Sequence, residues 1–317
     1  MCRIEHIDIR CRRTVRHRPR RHAQRTRTEL EGKNMILVTG ATGKVGSEAV
    51  RLLAARHHPA RALVRDPSRA PYGDAGSGIE IVTGDFDRPD TLDAAMRGID
   101  TVLLISPAVP AQEIAVIDSA VRQGVTHVVK ITNHKASADS PVDRRRDHAR
   151  IEAHLRSTGL AYTLLGPNLY MQNLLAFAPT IARTRGFSMS AGDGEFGMVD
   201  ARDVAATAVA IVTAPAAHAG RTYLLTGPDL ITFTDVAKEL SDALGHAVEY
   251  RRISPDEHRA AMIRAGVPET VATSNAQVFG LIAEGDAAWL SDDVASITGD
   301  RPRSLRAFIA DHITAFR

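Results

Sequence analysis

The stretch Met35-Ile-Leu-Val-Thr-Gly-Ala-Thr-Gly-Lys-Val-Gly46 decides how this 317-residue chain is read. Ile36, Leu37 and Val38 form the short apolar run of a strand buried on both faces. The run stops at Thr39-Gly40, and from Lys44 the apolar residues Val45, Ala49, Leu52 and Leu53 return at helical spacing. Gly40, Gly43 and Gly46 therefore occupy a strand-to-helix corner. A backbone without side chains can approach a pyrophosphate closely there, and the helix's first N–H groups point at it. Glycines alone are a weak signal, but glycines between a strand and a helix are what a dinucleotide site requires. The alternative is a Gly-rich turn that packs the helix on a sheet.

Beyond the corner the alternation continues. A helix at about 43–56 leads to a second strand, Arg61-Ala-Leu-Val-Arg65. Folds that choose NAD usually place an acid at this strand end, to accept from the ribose 2′-OH. Here stand Arg65, Ser68 and Arg69, and a guanidinium suits a 2′-phosphate, so NADP(H) is expected over NAD(H). Gly78-Ile-Glu-Ile-Val-Thr-Gly-Asp85-Phe-Asp87 reads as a third strand and an acidic turn. Asp85 is placed either to accept from the adenine amino group or to cap a turn or helix. A short helix with Pro89 near its start precedes the all-apolar, hence central, strand Thr101-Val-Leu-Leu-Ile105. That strand ends at Ser106, on the carboxyl edge where open α/β sheets bind ligands.

A helix near 110–123 and the strand His127-Val-Val-Lys-Ile131 follow, ending at Thr132-Asn133-His134. Residues 136–142 are small and polar and could border the cleft. In the helix expected at 143–157, positions 148, 151 and 155 share one face. His148 then faces inward, while Arg145 and Arg146 turn outward. Ala161-Tyr-Thr-Leu-Leu165 is a sixth strand, and the alternation up to it predicts a doubly wound parallel sheet.

The remainder is organised differently. Helices are expected at 168–184, 201–213, 233–244, 255–265, 269–283 and 303–316, with strands at 223–227 and 248–253. The fold class is thus α/β, Rossmann-like. A dinucleotide-binding part spans 35–165, and a smaller α/β C-terminal lobe spans 166–317, covers the substrate cleft and shares part of the sheet. Asp200-x-x-Asp203 reads as acids stabilising a helix start. The chain has no Gly-x-Ser-x-Gly elbow, which argues against a hydrolase, and no His/Glu cluster at metal-ligand spacing, so no metal is expected.

The formal charge of +3 is unevenly placed. Residues 1–34 hold eleven Arg/Lys against four Asp/Glu, which leaves 29 against 33 for the other 283 residues. The body is therefore acidic and gives no case for nucleic-acid binding. Residues 1–34 are expected to be a basic, disordered extension, with the natural chain starting at Met35; the alternative is an arm for anionic partners. Both cysteines, Cys2 and Cys11, lie in this extension, which suits a reducing cytoplasm. No apolar run of about 18 residues exists, so no membrane span is expected.

Taken together, Val38–Gly46, Gly84-Asp85, Ile151–Leu165, Pro167–Asn173, Tyr223–Pro228 and Thr298–Ser304 resemble the NmrA-like, atypical branch of the short-chain dehydrogenase/reductase superfamily. The resemblance runs from Met35 to the C-terminus. It implies NADP(H) binding through Gly40, Thr42, Gly43, Lys44, Val45, Arg65, Asp85, Phe86 and Ser106. Typical superfamily members protonate substrate with a Tyr helped by a Lys four residues on, but here Arg144 and His148 stand at those places. Thr132 stands where a Ser usually ends the fifth strand. Hydride transfer needs only that the protein position the cofactor.

His148 is the remaining candidate for the acid, because an imidazole titrates near neutral pH, with Thr132 beside it. The alternative for His148 is a bond to the nicotinamide ribose or to a neighbouring side chain. Asn133, Tyr170, Asn173 and Phe177 are expected substrate contacts, or else packing between lobes. The expected activity is NADPH-dependent reduction of a small-molecule acceptor of quinone, dye or conjugated carbonyl type, with homodimerisation open. The other reading is a non-catalytic NADP(H) sensor that binds a protein partner.

Overall fold

The computed structural model describes residues 34–70 and 78–317; the extension expected at 1–34 lies outside them except for Asn34. The first half alternates strand and helix as β1 (Ile36–Val38), α1 (Lys44–Ala55), β2 (Ala60–Val64), β3 (Ile79–Thr83), α2 (Pro89–Met96), β4 (Thr101–Leu104), α3 (Pro110–Arg122), β5 (His127–Ile131), α4 (Asp143–Ser157) and β6 (Ala161–Pro167). The second half carries α5 (Ala178–Thr184), β7 (Gly186–Met189), α6 (Ala201–Thr213), β8 (Thr222–Leu225), α7 (Phe233–Leu244), β9 (Glu249–Arg252), α8 (Pro255–Arg264), α9 (Glu269–Ala283), α10 (Asp293–Thr298) and α11 (Leu305–His312).

Seven strands form one parallel sheet in the order β3-β2-β1-β4-β5-β6-β8. The period of two along each strand explains why both faces are covered. Ile36, Val38, Leu103, Val129 and Leu165 point to the face packed by Ala49 and Val50 of α1 and Val204, Ala208 and Val212 of α6. Their neighbours Leu37, Val102, Leu104, Val128 and Leu164 point to the opposite face, against Leu92 of α2, Ile117 of α3 and Ile151 and Leu155 of α4. Because the strands are parallel, every carboxyl end lies along one edge, and the loops that leave that edge build the site.

The last sheet strand, β8, comes from the second half of the chain. The stretch predicted as one helix at 168–184 is instead a 3₁₀ segment, Met171–Phe177, followed by α5. β7 was not legible in the sequence; it pairs in parallel with β9 as a separate two-stranded sheet. Around these strands Phe187, Phe196, Phe233, Leu240, Phe308 and Phe316 form a second core. Among the described residues no helix is long and apolar enough to cross a membrane.

Candidate functional site

The glycine corner closes tightly. Gly40 has φ of +56°, a left-handed conformation that favours glycine, and a Cβ there would come within 2.7 Å of the Ile105 carbonyl. A Cβ on Gly46 would overlap the Gly40 carbonyl. Gly43 is the N-cap of α1 and offers no side-chain cap, and the helix's first turn holds no acid. The free N–H groups and the positive end of the helix dipole are thus left for an anion, which is the fit a dinucleotide's pyrophosphate needs. Thr42, Gly43 and Lys44 are exposed, while Val45 is buried as a core residue.

Arg65 follows β2 and is exposed, as are Ser68 and Arg69, and neither arginine has an ion-pair partner among the described residues. The adjacent acid, Asp66, is tied up locally. It accepts from the Ser68 N–H at 3.0 Å and the Ser68 hydroxyl at 2.7 Å, which hold it below the usual carboxylate range. Asp85 follows β3, and its carboxylate accepts from the Asp87 N–H at 3.1 Å, while Phe86 is half-buried against the α2 face of the sheet. Gly40, Thr42, Gly43, Arg65, Asp85 and Phe86 thus stand along one edge, at the carboxyl ends of β1, β2 and β3.

At the ends of β4, β5 and β6 the same edge opens into a cavity of about 450 Å³. That is within the range of about 300–1,000 Å³ usual for small-ligand pockets. Lys44, Val45, Ser106, Thr132, Asn133, His148, Tyr170 and Asn173 all line it. Lys44 Nζ reaches across to donate to Asn173 Oδ1 at 3.0 Å. Asn133 spends its side-chain oxygen on the Lys135 N–H at 3.0 Å, forming a turn. Tyr170 packs part of its ring against the core, and burial pushes its pKa up. Phe177 is not part of the cavity wall. It stacks on Phe187 with ring centroids 5.6 Å apart, because the 3₁₀ turn carries it into the second core.

Beneath the cavity lies a buried polar network that the sequence reading missed. Lys130, in the middle of β5, is fully buried and paired with the equally buried Glu113 of α3. It also donates to the Ile131 carbonyl at 3.1 Å and lies 3.4 Å from His148 Nδ1. The Thr132 hydroxyl also lies against His148 Nδ1, at 3.3 Å. Burial, then the charges of Lys130 and Arg144, hold the His148 pKa at about 3. The expectation that His148 titrates near neutral pH fails in this setting, because a second positive charge is disfavoured beside Lys130.

Two of the cavity's hydroxyls, on Ser106 and Thr132, are committed as well. Ser106 donates to Glu113 Oε1 at 2.6 Å, and Thr132 donates to Glu152, which Arg156 holds from the surface at 3.0 Å. Toward the cavity these oxygens present lone pairs, so they accept hydrogen bonds there and have no proton to give. A lysine inside the apolar run His127–Ile131 was the one available sign of this network.

The outer wall is cationic. Arg145 does not turn outward as its helix position suggested. It enters the wall and, with Lys135, holds Asp286 on the loop after α9. Arg146 does face solvent, paired with Asp143. Arg144 lines the cavity and donates to Asn275 Oδ1 at 3.2 Å. Asn168 donates to the Ala287 carbonyl at 3.0 Å, and Trp289 packs on His134 with centroids 4.7 Å apart. One segment, 286–289, is thereby drawn over the strand ends from three directions.

The profile of the NmrA-like family matches residues 32–300. The chain belongs to the NmrA-like family. A relative described as an NAD(P)H azoreductase, from Xenophilus azovorans, is 38% identical over 285 residues, covering 89% of this chain and 99% of its own. The structure of an NADPH-dependent quinone oxidoreductase from Escherichia coli, solved with NADPH, superposes with a TM-score of 0.79 at 30% identity. The match covers 88% of this chain and all of that one. The Citrobacter sp. triphenylmethane reductase, solved with NADP(H), gives 0.76 at 26%, covering 87% and 99%. Within this NmrA-like chain, two residues of α4 meet very different surroundings: Arg144 lines the cavity, and His148 is buried beside Lys130.

Proposed function

We propose that the chain is an NADPH-dependent oxidoreductase that reduces a quinone-, dye- or related conjugated carbonyl-type acceptor. The nucleotide would lie along the edge from Arg65 to Ser106, within the 35–165 part, and the acceptor in the cavity closed by the 166–317 part. The observation that carries the reading is the meeting of two features at one sheet edge. One is an uncapped helix start behind a glycine corner. The other is a half-apolar cavity walled by Tyr170, Phe279 and Trp289, into which the corner's Lys44 and Val45 reach. Relatives and neighbours whose names are azoreductase, quinone oxidoreductase and triphenylmethane reductase support the acceptor class.

Bound NADPH supplies the hydride. The chain's own residues then have a limited task. Ser106 and Thr132 would accept hydrogen bonds from the ribose or carboxamide end and so orient the nicotinamide, while Phe279 and Trp289 would hold a flat acceptor in the cavity. His148 stays neutral and holds position, so the proton comes from water. A quinone tolerates this arrangement because its reduced anion is delocalised and needs no strong acid, and a cationic dye is neutral once it has taken the hydride.

A panel of quinones, azo dyes and triphenylmethane dyes, followed by loss of NADPH absorbance, tests the proposal. Turnover with at least one class is expected. Tight NADPH binding with no oxidation by any acceptor, together with capture of a protein partner, would replace it with the sensor reading.

A further inference from the structure

Among the described residues, four cations (Lys44, Lys135, Arg144 and Arg145) and one carboxylate, Asp286, line the cavity. Lys44 belongs to the glycine corner and is held by Asn173. Lys135 and Arg145 share Asp286 between them. Arg144 has no carboxylate partner among the described residues. Of its five N–H donors one is used, on the neutral Asn275, and the guanidinium is exposed to the cavity rather than packed away. Partial burial, then the charge of Arg145, lowers its pKa. An unpaired guanidinium, aimed into a cavity with a neighbouring arginine and an aromatic wall, is complementary to a planar molecule bearing an oxyanion.

We infer that the acceptor site contains an oxyanion subsite centred on Arg144, so that the preferred acceptor is an aromatic or conjugated molecule carrying a sulfonate or carboxylate. Asn275 fixes one edge of the guanidinium and leaves the other edge free for a two-point contact. Trp289 and Phe279 receive the ring that carries the anion. The net positive wall attracts such an acceptor from solution and discriminates against cationic ones. The inference rests on the proposed reductase activity for its physiological meaning, but the subsite itself can be read without turnover.

The test has two arms. In the first, the NADP⁺-loaded protein is titrated with p-toluenesulfonate and with the neutral p-toluenesulfonamide, following fluorescence of Trp289, the chain's one tryptophan. The sulfonate is expected to bind about tenfold more tightly than the sulfonamide, as a charge-assisted contact implies. Arg144→Gln should bring the ratio to about one, Arg144→Glu should invert it, and Arg144→Lys should keep part of it.

In the second arm, kcat and KM are measured with saturating NADPH for 1,2-naphthoquinone-4-sulfonate and 1,2-naphthoquinone. The ratio of kcat/KM values should fall about tenfold in Arg144→Gln, through KM for the sulfonate. Equal binding of both toluene derivatives by the wild type overturns the subsite. So does an Arg144→Gln defect confined to NADPH affinity, or an equal loss of kcat with both quinones. If neither quinone is reduced while the first arm gives the expected ratios, the subsite stands and the reductase reading falls.

Discussion

At the scale of single residues, environment decides what a side chain can do. His148 keeps an ordinary pKa of about 6.5 when unfolded and about 3 when folded. The folded state thus binds fewer protons between those values, and stability contributed by the neutral ring is present above pH 6.5 and lost as pH falls toward 3. Between pH 7 and 5 the loss from this residue is about 2 kcal/mol. Urea unfolding at both pH values should give a steep dependence in the wild type and a shallower one in His148→Asn. Arg65 acts outward instead. With its guanidinium exposed and no ion pair on it among the described residues, Arg65→Asp should reduce the NADPH-over-NADH preference in kcat/KM by about tenfold or more, a charge-assisted contact being worth about 1.5–3 kcal/mol. Equal wild-type use of NADPH and NADH would remove the premise.

At the scale of elements, α3 and β5 are joined by a charge pair that has left water altogether. Glu113 sits in the first turn of α3, where a negative charge also suits the helix dipole, and Lys130 sits mid-strand. Such pairs add little net stability over an apolar filling, but breaking one leaves a lone buried charge that costs about 3–5 kcal/mol. Glu113→Gln should therefore destabilise the fold by about 3 kcal/mol in chemical denaturation, and the double replacement Glu113→Leu with Lys130→Met should recover most of it. Recovery of stability without recovery of turnover would locate the pair's purpose in orienting Ser106 and His148. The α4 helix makes a related point: its inward face, His148, Ile151 and Leu155, followed from spacing alone. Arg145 departed from that spacing because its long side chain could swing from the helix flank to Asp286.

At the scale of the whole molecule, local chemistry was legible and long-range pairing was not. The strands of the first half declared themselves by short apolar runs, and the glycine corner by residues that tolerate no Cβ. Gly186–Met189 did not, because four residues directly after the short helix α5 carry too little pattern to read as a strand. Trp289 and Asp286 stand in a loop of no periodicity, and only tertiary contacts with Asn168, Lys135 and Arg145 bring them to the cavity. Arg144 was noticed as a departure from a motif, but its open guanidinium became visible only beside Asn275.

The sheet's composition also sets an order of events during synthesis. A nascent chain that has emerged as far as Pro167 already contains six of the seven sheet strands. Yet Val38, Leu103, Val129 and Leu165 on one face await Val204, Ala208 and Val212 of α6, and the outer edge awaits β8. The nucleotide-binding half is thus translated first and completed late. In the interval, the greasy face of a half-clad sheet is offered to whatever waits at the ribosome's exit.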